Sequence, residues 1–265
     1  MNPEITLSDV SLDFPIYGSP SSTSGRPGLK TLIGGVARRV NRHHVAVRAL
    51  DEINLHLPGG SRYALIGPNG AGKSTILRVM SGIYHPTGGT ASISGRVSTI
   101  FDLNAGADPN LTGYQNIWRV GYLHGMTRAQ IEEKLEEIID FAELGEFLDM
   151  PHRVYSSGML TRLAFAICTM SQPDILLIDE TFGTGDSSFR EKAEKRITRM
   201  IEDSKILVFA SHSRGILERF CTHGILMSRG RIEMIDDLAT VLDCHEERQR
   251  KVAEAQRNAE SSVHD

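Results

Sequence analysis

Apolar and polar positions alternate from Ile5 to Phe14, the two-residue period of a half-buried strand. The pattern then breaks. Residues 18–28 read GSPSSTSGRPG, a turn-rich stretch, and residues 37–44 read ARRVNRHH, a basic run. Residues 18–44 are therefore expected to form a long, irregular surface insertion. Its Arg38, Arg39 and Arg42 could face lipid headgroups, and a solvated loop is the plainer alternative. Strand-like alternation returns over Val45–Leu57, Tyr63–Ile66 is a short apolar run ending at glycine, and Lys73–Met80 is compatible with a helix. Two further short strands fit between Thr90 and Phe101.

From about Thr112 the period changes to that of helices. Thr127 and Gln130 have capping-box spacing, and Ile131, Leu135, Ile138 and Ile139 share one helical face. A second helix follows Ser156, carrying Leu160, Leu163, Ala164 and Ile167. Ile175–Ile178 and Ile206–Ala210 are continuous apolar runs of buried-strand length. Between them Ser188 and Glu191 suggest another capped helix, and a further helix is expected near Gly215–Phe220. Ile225–Met227 and Arg231–Ile235 read as a closing hairpin turning at Arg229-Gly230. Asp237 to about Glu260 reads as a charged terminal helix. Strands alternate with helices at both ends around a helical block, which predicts an α/β fold with a helical insertion. No internal repeat is visible.

Composition narrows the classes. The 265 residues suffice for one large α/β domain or one domain with an inserted subdomain. A formal net charge of −4 gives no reason to expect a nucleic-acid partner. Cys168, Cys221 and Cys244 are far apart and form no CxxC pair, so a reducing cytoplasm fits best. The first residues have no basic, then apolar, signal pattern, and no apolar stretch approaches the roughly 20 residues of a membrane helix. The expectation is a soluble protein, or one held at a membrane only through a partner.

Two motifs carry chemistry. Gly67-Pro68-Asn69-Gly70-Ala71-Gly72-Lys73-Ser74, followed by Thr75, matches GxxxxGK[ST] between a strand and a helix. Glycines let such a loop wrap closely and turn its N–H groups inward, and the helix N-terminus adds positive potential. Lys73 reaches terminal phosphates, and Ser74 can ligate Mg²⁺. Ile175-Leu176-Leu177-Ile178-Asp179-Glu180 is a buried strand ending in two carboxylates. Asp179 would hold the Mg²⁺ shell and Glu180 would polarise an attacking water.

The order GPNGAGKST, YSSGM at 155–159, ILLIDE, then His212 after a strand resembles the ABC ATPase family. YSSGM is similar to that family's LSGGQ signature: Ser156 and Gly158 match, whereas Tyr155, Ser157 and Met159 depart from it. The resemblance implies a P-loop NTPase core with an antiparallel β subdomain and a helical subdomain. It implies one nucleotide-binding domain over 1–245, with a helical subdomain at about 102–170 and a charged tail at 246–265. ATP would be bound by residues 67–75 of one copy and by Ser156 and Gly158 of a second copy in a homodimer. Glu180 and His212 would serve hydrolysis, and Asp186 falls at the D-loop position. An aromatic ring on adenine is implied, which Phe14 or Tyr17 could supply, although either could be core. The family's Mg²⁺-touching glutamine is missing, since no glutamine occurs between Lys73 and Gln115. Asp102 or Asn104 is the candidate to take its place.

Other features are similar to the ATPase subunits of bacterial polysaccharide exporters. They are Phe14-Pro15-Ile16-Tyr17-Gly18, Leu111-Thr112-Gly113 with Asn116-Ile117, Arg162-Leu163-Ala164-Phe165, and Gly185-Asp186 with Phe189. That likeness implies export of a lipid-linked glycan such as O-antigen. It implies a peripheral place on the cytoplasmic face of the bacterial inner membrane, beneath a polytopic membrane-spanning subunit that docks near 101–122. Some such proteins carry a further C-terminal carbohydrate-binding domain, which is not expected here from a sequence of 265 residues. An exporter ATPase for a lipid or drug, and an ABC ATPase without a transport role, are the alternatives.

Overall fold

The computed structural model describes residues 2–16, 36–41, 44–101, 106–179 and 187–261. Tyr17, Asp102, Asn104, Glu180 and Asp186, with Arg42 and most of 18–44, lie outside the described residues. The chain divides into two compact units, residues 1–94 with 206–265, and residues 95–205.

The first unit contains an antiparallel sheet and a largely parallel one. Strands β1 (Glu4–Ile16), β2 (Val36–Asn41), β3 (His44–Pro58) and β5 (Gly88–Ser94) form the first, in the order β2-β3-β1-β5. Strand β1 buries Ile5 and Leu7 and, past a register shift between Leu7 and Val10, buries Val10 and Leu12. On β3, Leu50, Ile53, Leu55 and Leu57 are buried likewise. Each such side chain contributes on the order of 1.5–3 kcal/mol. Residues 36–41 are not irregular as their composition suggests: they pair with β3 from Val36↔Arg48 to Asn41↔His44. A neighbouring strand edge has overridden weak local preference.

In the second sheet β4 (Arg62–Ile66) lies between β8 (Ile206–Ala210) and β9 (His223–Ser228), parallel to both. Strand β10 (Arg231–Asp237) closes an antiparallel hairpin on β9. Helices α1 (Lys73–Met80), α6 (Arg214–Phe220) and α7 (Leu238–Ser261) complete the unit. Helix α7 is close to the charged terminal helix expected from Asp237 to about Glu260.

The second unit contains the parallel pair β6 (Val97–Ile100) and β7 (Ile175–Asp179), and helices α2 (Gly113–Leu123), α3 (Arg128–Ala142), α4 (Ser157–Cys168) and α5 (Ser187–Asp203). Thr127 and Gln130 form the expected capping box. Thr112 and Gln115 form a second one at the start of α2. Caps of this kind stabilise a helix by about 1 kcal/mol. Ile117, Val120, Ile131, Ile138, Leu163, Ala166 and Ile167 form the core, against which Leu135 and Ile139 pack. Helix α5 begins at Ser187, so Ser188 lies in its first turn and not at its cap.

Candidate functional site

In the first unit the loop 67–72 follows directly from the buried strand β4. Gly67 has φ +149, and a Cβ there would come within 2.2 Å of the Met227 carbonyl oxygen. Gly72 has φ +106 at the N-cap of α1, where a Cβ would lie 3.1 Å from the Ala49 carbonyl. Only glycine fits Gly67 without moving backbone. Inside the loop the Lys73 ammonium donates to the carbonyls of Gly67 at 2.6 Å and Pro68 at 3.1 Å. Pro68, Asn69 and Gly70 are exposed, and Ser74 and Thr75 are half-buried in the first turn of α1. That turn contains no acidic residue to compete for its amides. A lysine and a helix N-terminus that no side chain caps converge there, which is the chemistry of a phosphate cradle.

His212 is exposed and follows the end of β8 by two residues. Since Leu65 pairs with Ala210, the loops after β4 and β8 leave the same end of the sheet. The Ser213 amide donates to Ser211 Oγ at 3.0 Å and tightens the turn around His212. His245, on α7, was read from sequence only as part of a charged end. Burial lowers its pKa, and the charges of Lys73 and His212 lower it further. No local sequence signal points to this grouping. Phe14 is 37% exposed and sets its ring edge-on to Tyr84 at 5.3 Å. It is therefore not sealed in the core.

In the second unit, β7 carries four fully buried residues, Ile175–Ile178, and then the partly exposed Asp179. Ser156 is the N-cap of α4, its Oγ accepting from the Met159 amide at 3.3 Å. The departure at Tyr155 has a packing cause. Its ring is buried, and its hydroxyl donates to the Phe147 carbonyl at 2.6 Å. The buried His152 ring meets it edge-on at 5.1 Å. Residues 109–112 brace this segment, with His152 N donating to Leu111 O and Arg153 N to Pro109 O. Gly158 differs from the glycines of the loop. A Cβ there would meet only Ser156 Oγ, at 3.9 Å. A groove between α3 and α5 carries cations too, but Arg196 is matched by Glu137 at 3.0 Å and Lys195 by Glu191 at 2.7 Å. Those pairings give it no character as an anion site.

Residues 50–183 match the ABC transporter family. The O-antigen export system ATP-binding protein RfbE of Yersinia enterocolitica is 45% identical over 228 residues, 86% of this chain and 95% of that protein. The chain belongs to the ABC transporter family. It is an ABC ATPase, a subunit that binds and hydrolyses ATP. RfbB of Klebsiella pneumoniae, another O-antigen export system ATP-binding protein, is 36% identical over 251 residues, covering 93% of this chain and 99% of that one. The teichoic acids export ATP-binding protein TagH of Listeria innocua is 35% identical over 246 residues, covering 93% and 70%. In fold, the chain is similar to the ATP-binding cassette MJ0796, solved as a dimer bound to ADP and Pi. The TM-score is 0.62 at 21% identity, over 88% of this chain and 98% of that chain. The ABC ATPase fold therefore agrees with the antiparallel and helical parts expected from the motifs. Among the described residues, no helix is long and apolar enough to cross a membrane.

Proposed function

We propose that this chain is the ATP-hydrolysing subunit of an exporter of a lipid-linked polysaccharide such as O-antigen. It works as a homodimer beneath a polytopic membrane-spanning subunit, on the cytoplasmic face of the bacterial inner membrane. The observation that carries this reading is the similarity, over nearly the whole of both chains, to two O-antigen export ATP-binding proteins. The teichoic acid export relative, at a similar identity, supports a polysaccharide cargo more broadly.

In this reading the amides of 67–73 and Lys73 hold the β- and γ-phosphates of ATP, with Thr75 in the same turn. Ser74 and Asp179 offer the hydroxyl and carboxylate oxygens that suit Mg²⁺, with Asp102 as a further candidate ligand. Bound there, Mg²⁺ would neutralise charge on the phosphates. Glu180 polarises the attacking water, and His212 contacts the γ-phosphate. Phe14 or Tyr17 lies against adenine. Ser156 and Gly158 of the second copy cover the γ-phosphate, and the open space at Gly158 supports this role. ATP favours the closed dimer because only that state completes its contacts. Hydrolysis removes them and the dimer reopens.

The reading is tested by purifying the tagged chain from its native membranes in mild detergent. A polytopic membrane protein in equal amount, carrying a lipid-linked sugar, is the expected result. Recovery with ribosomes or DNA, and no membrane protein, would remove the transport role and leave the ATPase standing.

A further inference from the structure

Gly230, in the turn of the β9–β10 hairpin, and Arg231, the first residue of β10, have no role in the chemistry above. Both backbone groups of Gly230 are engaged. Its N–H donates to the Ala71 carbonyl at 2.9 Å, and its carbonyl accepts from the Asp51 amide at 2.9 Å. One residue thus bridges the loop 67–72 to strand β3. No larger residue fits, because φ is +79 and a Cβ would lie 2.5 Å from the Ala49 carbonyl oxygen. Gly72 packs into the same place, its Cβ position 3.4 Å from the Gly230 Cα.

Arg231 adds a charged tie. Its Nε donates to Asp51 Oδ2 at 2.7 Å. Asp51 Oδ1 accepts from Arg48 Nη1 at 2.9 Å. Arg48 in turn grips both oxygens of Asp13, through Nε and Nη2, at 2.8 Å. Asp13 neighbours Phe14 on β1. An acid–base chain therefore runs Asp13–Arg48–Asp51–Arg231 from the strand bearing the aromatic ring, across β3, to the hairpin that holds the loop. The side chains of Arg48, Asp13 and Asp51 are only about one-fifth exposed. Both arginines keep the Asp51 carboxyl below its usual range, Arg48 through the larger effect. A paired network of this kind fixes geometry better than an isolated surface pair.

We propose that Gly230 and Arg231 are positioning residues for ATP, holding the phosphate loop at a fixed place relative to strands β1 and β3. These two residues act on the nucleotide only through Ala71, Gly72 and Asp51. This rests on the reading of 67–75 as the loop that binds ATP.

The test is ATP binding to the full chain by calorimetry, which separates affinity from the fraction of competent protein. Arg231→Gln should weaken ATP affinity by roughly two- to fivefold at unchanged stoichiometry, the scale of a partly exposed network pair. Arg231→Lys should recover most of the loss. In an Asp51→Asn background, Arg231→Gln should add nothing, because the arginine acts through that carboxylate. Gly230→Ala should weaken binding by about tenfold or more, since its Cβ must displace Ala49 or the loop. Unchanged affinity in Arg231→Gln, multiplying losses in the double variant, or a fall in stoichiometry alone would overturn the proposal. Lys73→Ala tests the underlying reading separately: if it binds ATP like the parent chain, the loop assignment fails first.

Discussion

The phosphate loop and the segment 155–159 are both glycine-bearing turns that open a helix, yet their glycines are held for different reasons. Gly67 is hemmed in by its own chain, with Met227 where a Cβ would stand. Its identity is explained by folding alone. Gly158 has an open side and ordinary backbone, so nothing in its own chain requires glycine. A glycine that the fold does not need points to a group that approaches from outside the chain. The comparison separates a loop whose glycine its own chain requires from a surface whose glycine it does not, which supports the proposal that 155–159 serves the ATP of another copy.

The largest expected effect sharpens the first half of that contrast. Gly67→Ala should cost more than about 2 kcal/mol of stability and abolish ATP binding, since backbone must move to admit the Cβ. Thermal melting with and without ATP checks both. Gly158→Ala should do the opposite. Stability should stay within about 0.5 kcal/mol, because alanine suits a helix. Steady-state hydrolysis should fall by about tenfold or more, because the added Cβ fills the open space where the phosphate of another copy approaches. Full activity in that variant breaks the contrast. Ser156→Ala combines the two effects, losing a cap worth about 1 kcal/mol as well as a hydroxyl for phosphate.

The smallest effect concerns pH. Burial lowers the pKa values of His124 and His152, both in the helical unit. Among the described residues, His152 Nε2 is a buried nitrogen with no hydrogen-bond partner. For a histidine depressed on folding, the unfolded chain takes up protons first as pH falls. Stability is thus retained above the unfolded value near 6.5 and declines as pH drops below it. Denaturant melts between pH 8 and 5 should show this decline, and His152→Gln should make it shallower. A rise in stability over that window would reverse the sign.

What the sequence made legible was contiguous. The loop, the strand ending in Asp179 and the cap at Ser156 are each written in fewer than ten consecutive residues, where strand, turn and helix signals agree. What stayed hidden depends on distant pairing. Strand β2 has turn-rich neighbours and a basic composition, and it becomes a strand only because β3 offers an edge. The tie from Gly230 to Asp51 and Ala71 joins residues with no local signal in common. The electrostatic influence of Lys73 and His212 on His245 joins residues far apart in the chain. Tyr155 looked like a weakened signature and proves to be a core residue with a satisfied hydroxyl.

The most direct test of a site shared between two copies is complementation between two inactive chains. Lys73→Ala removes the loop's cation and leaves 155–159 intact, whereas Ser156→Arg blocks that segment and leaves the loop intact. Each variant alone should hydrolyse almost no ATP. Mixed in equal amounts, half of the random dimers would contain both variants, each with one complete site, so about a quarter of parental activity should return. Absence of any recovery, with mixed dimers demonstrated to form, would contradict the claim that Ser156 and Gly158 serve the ATP held by another copy.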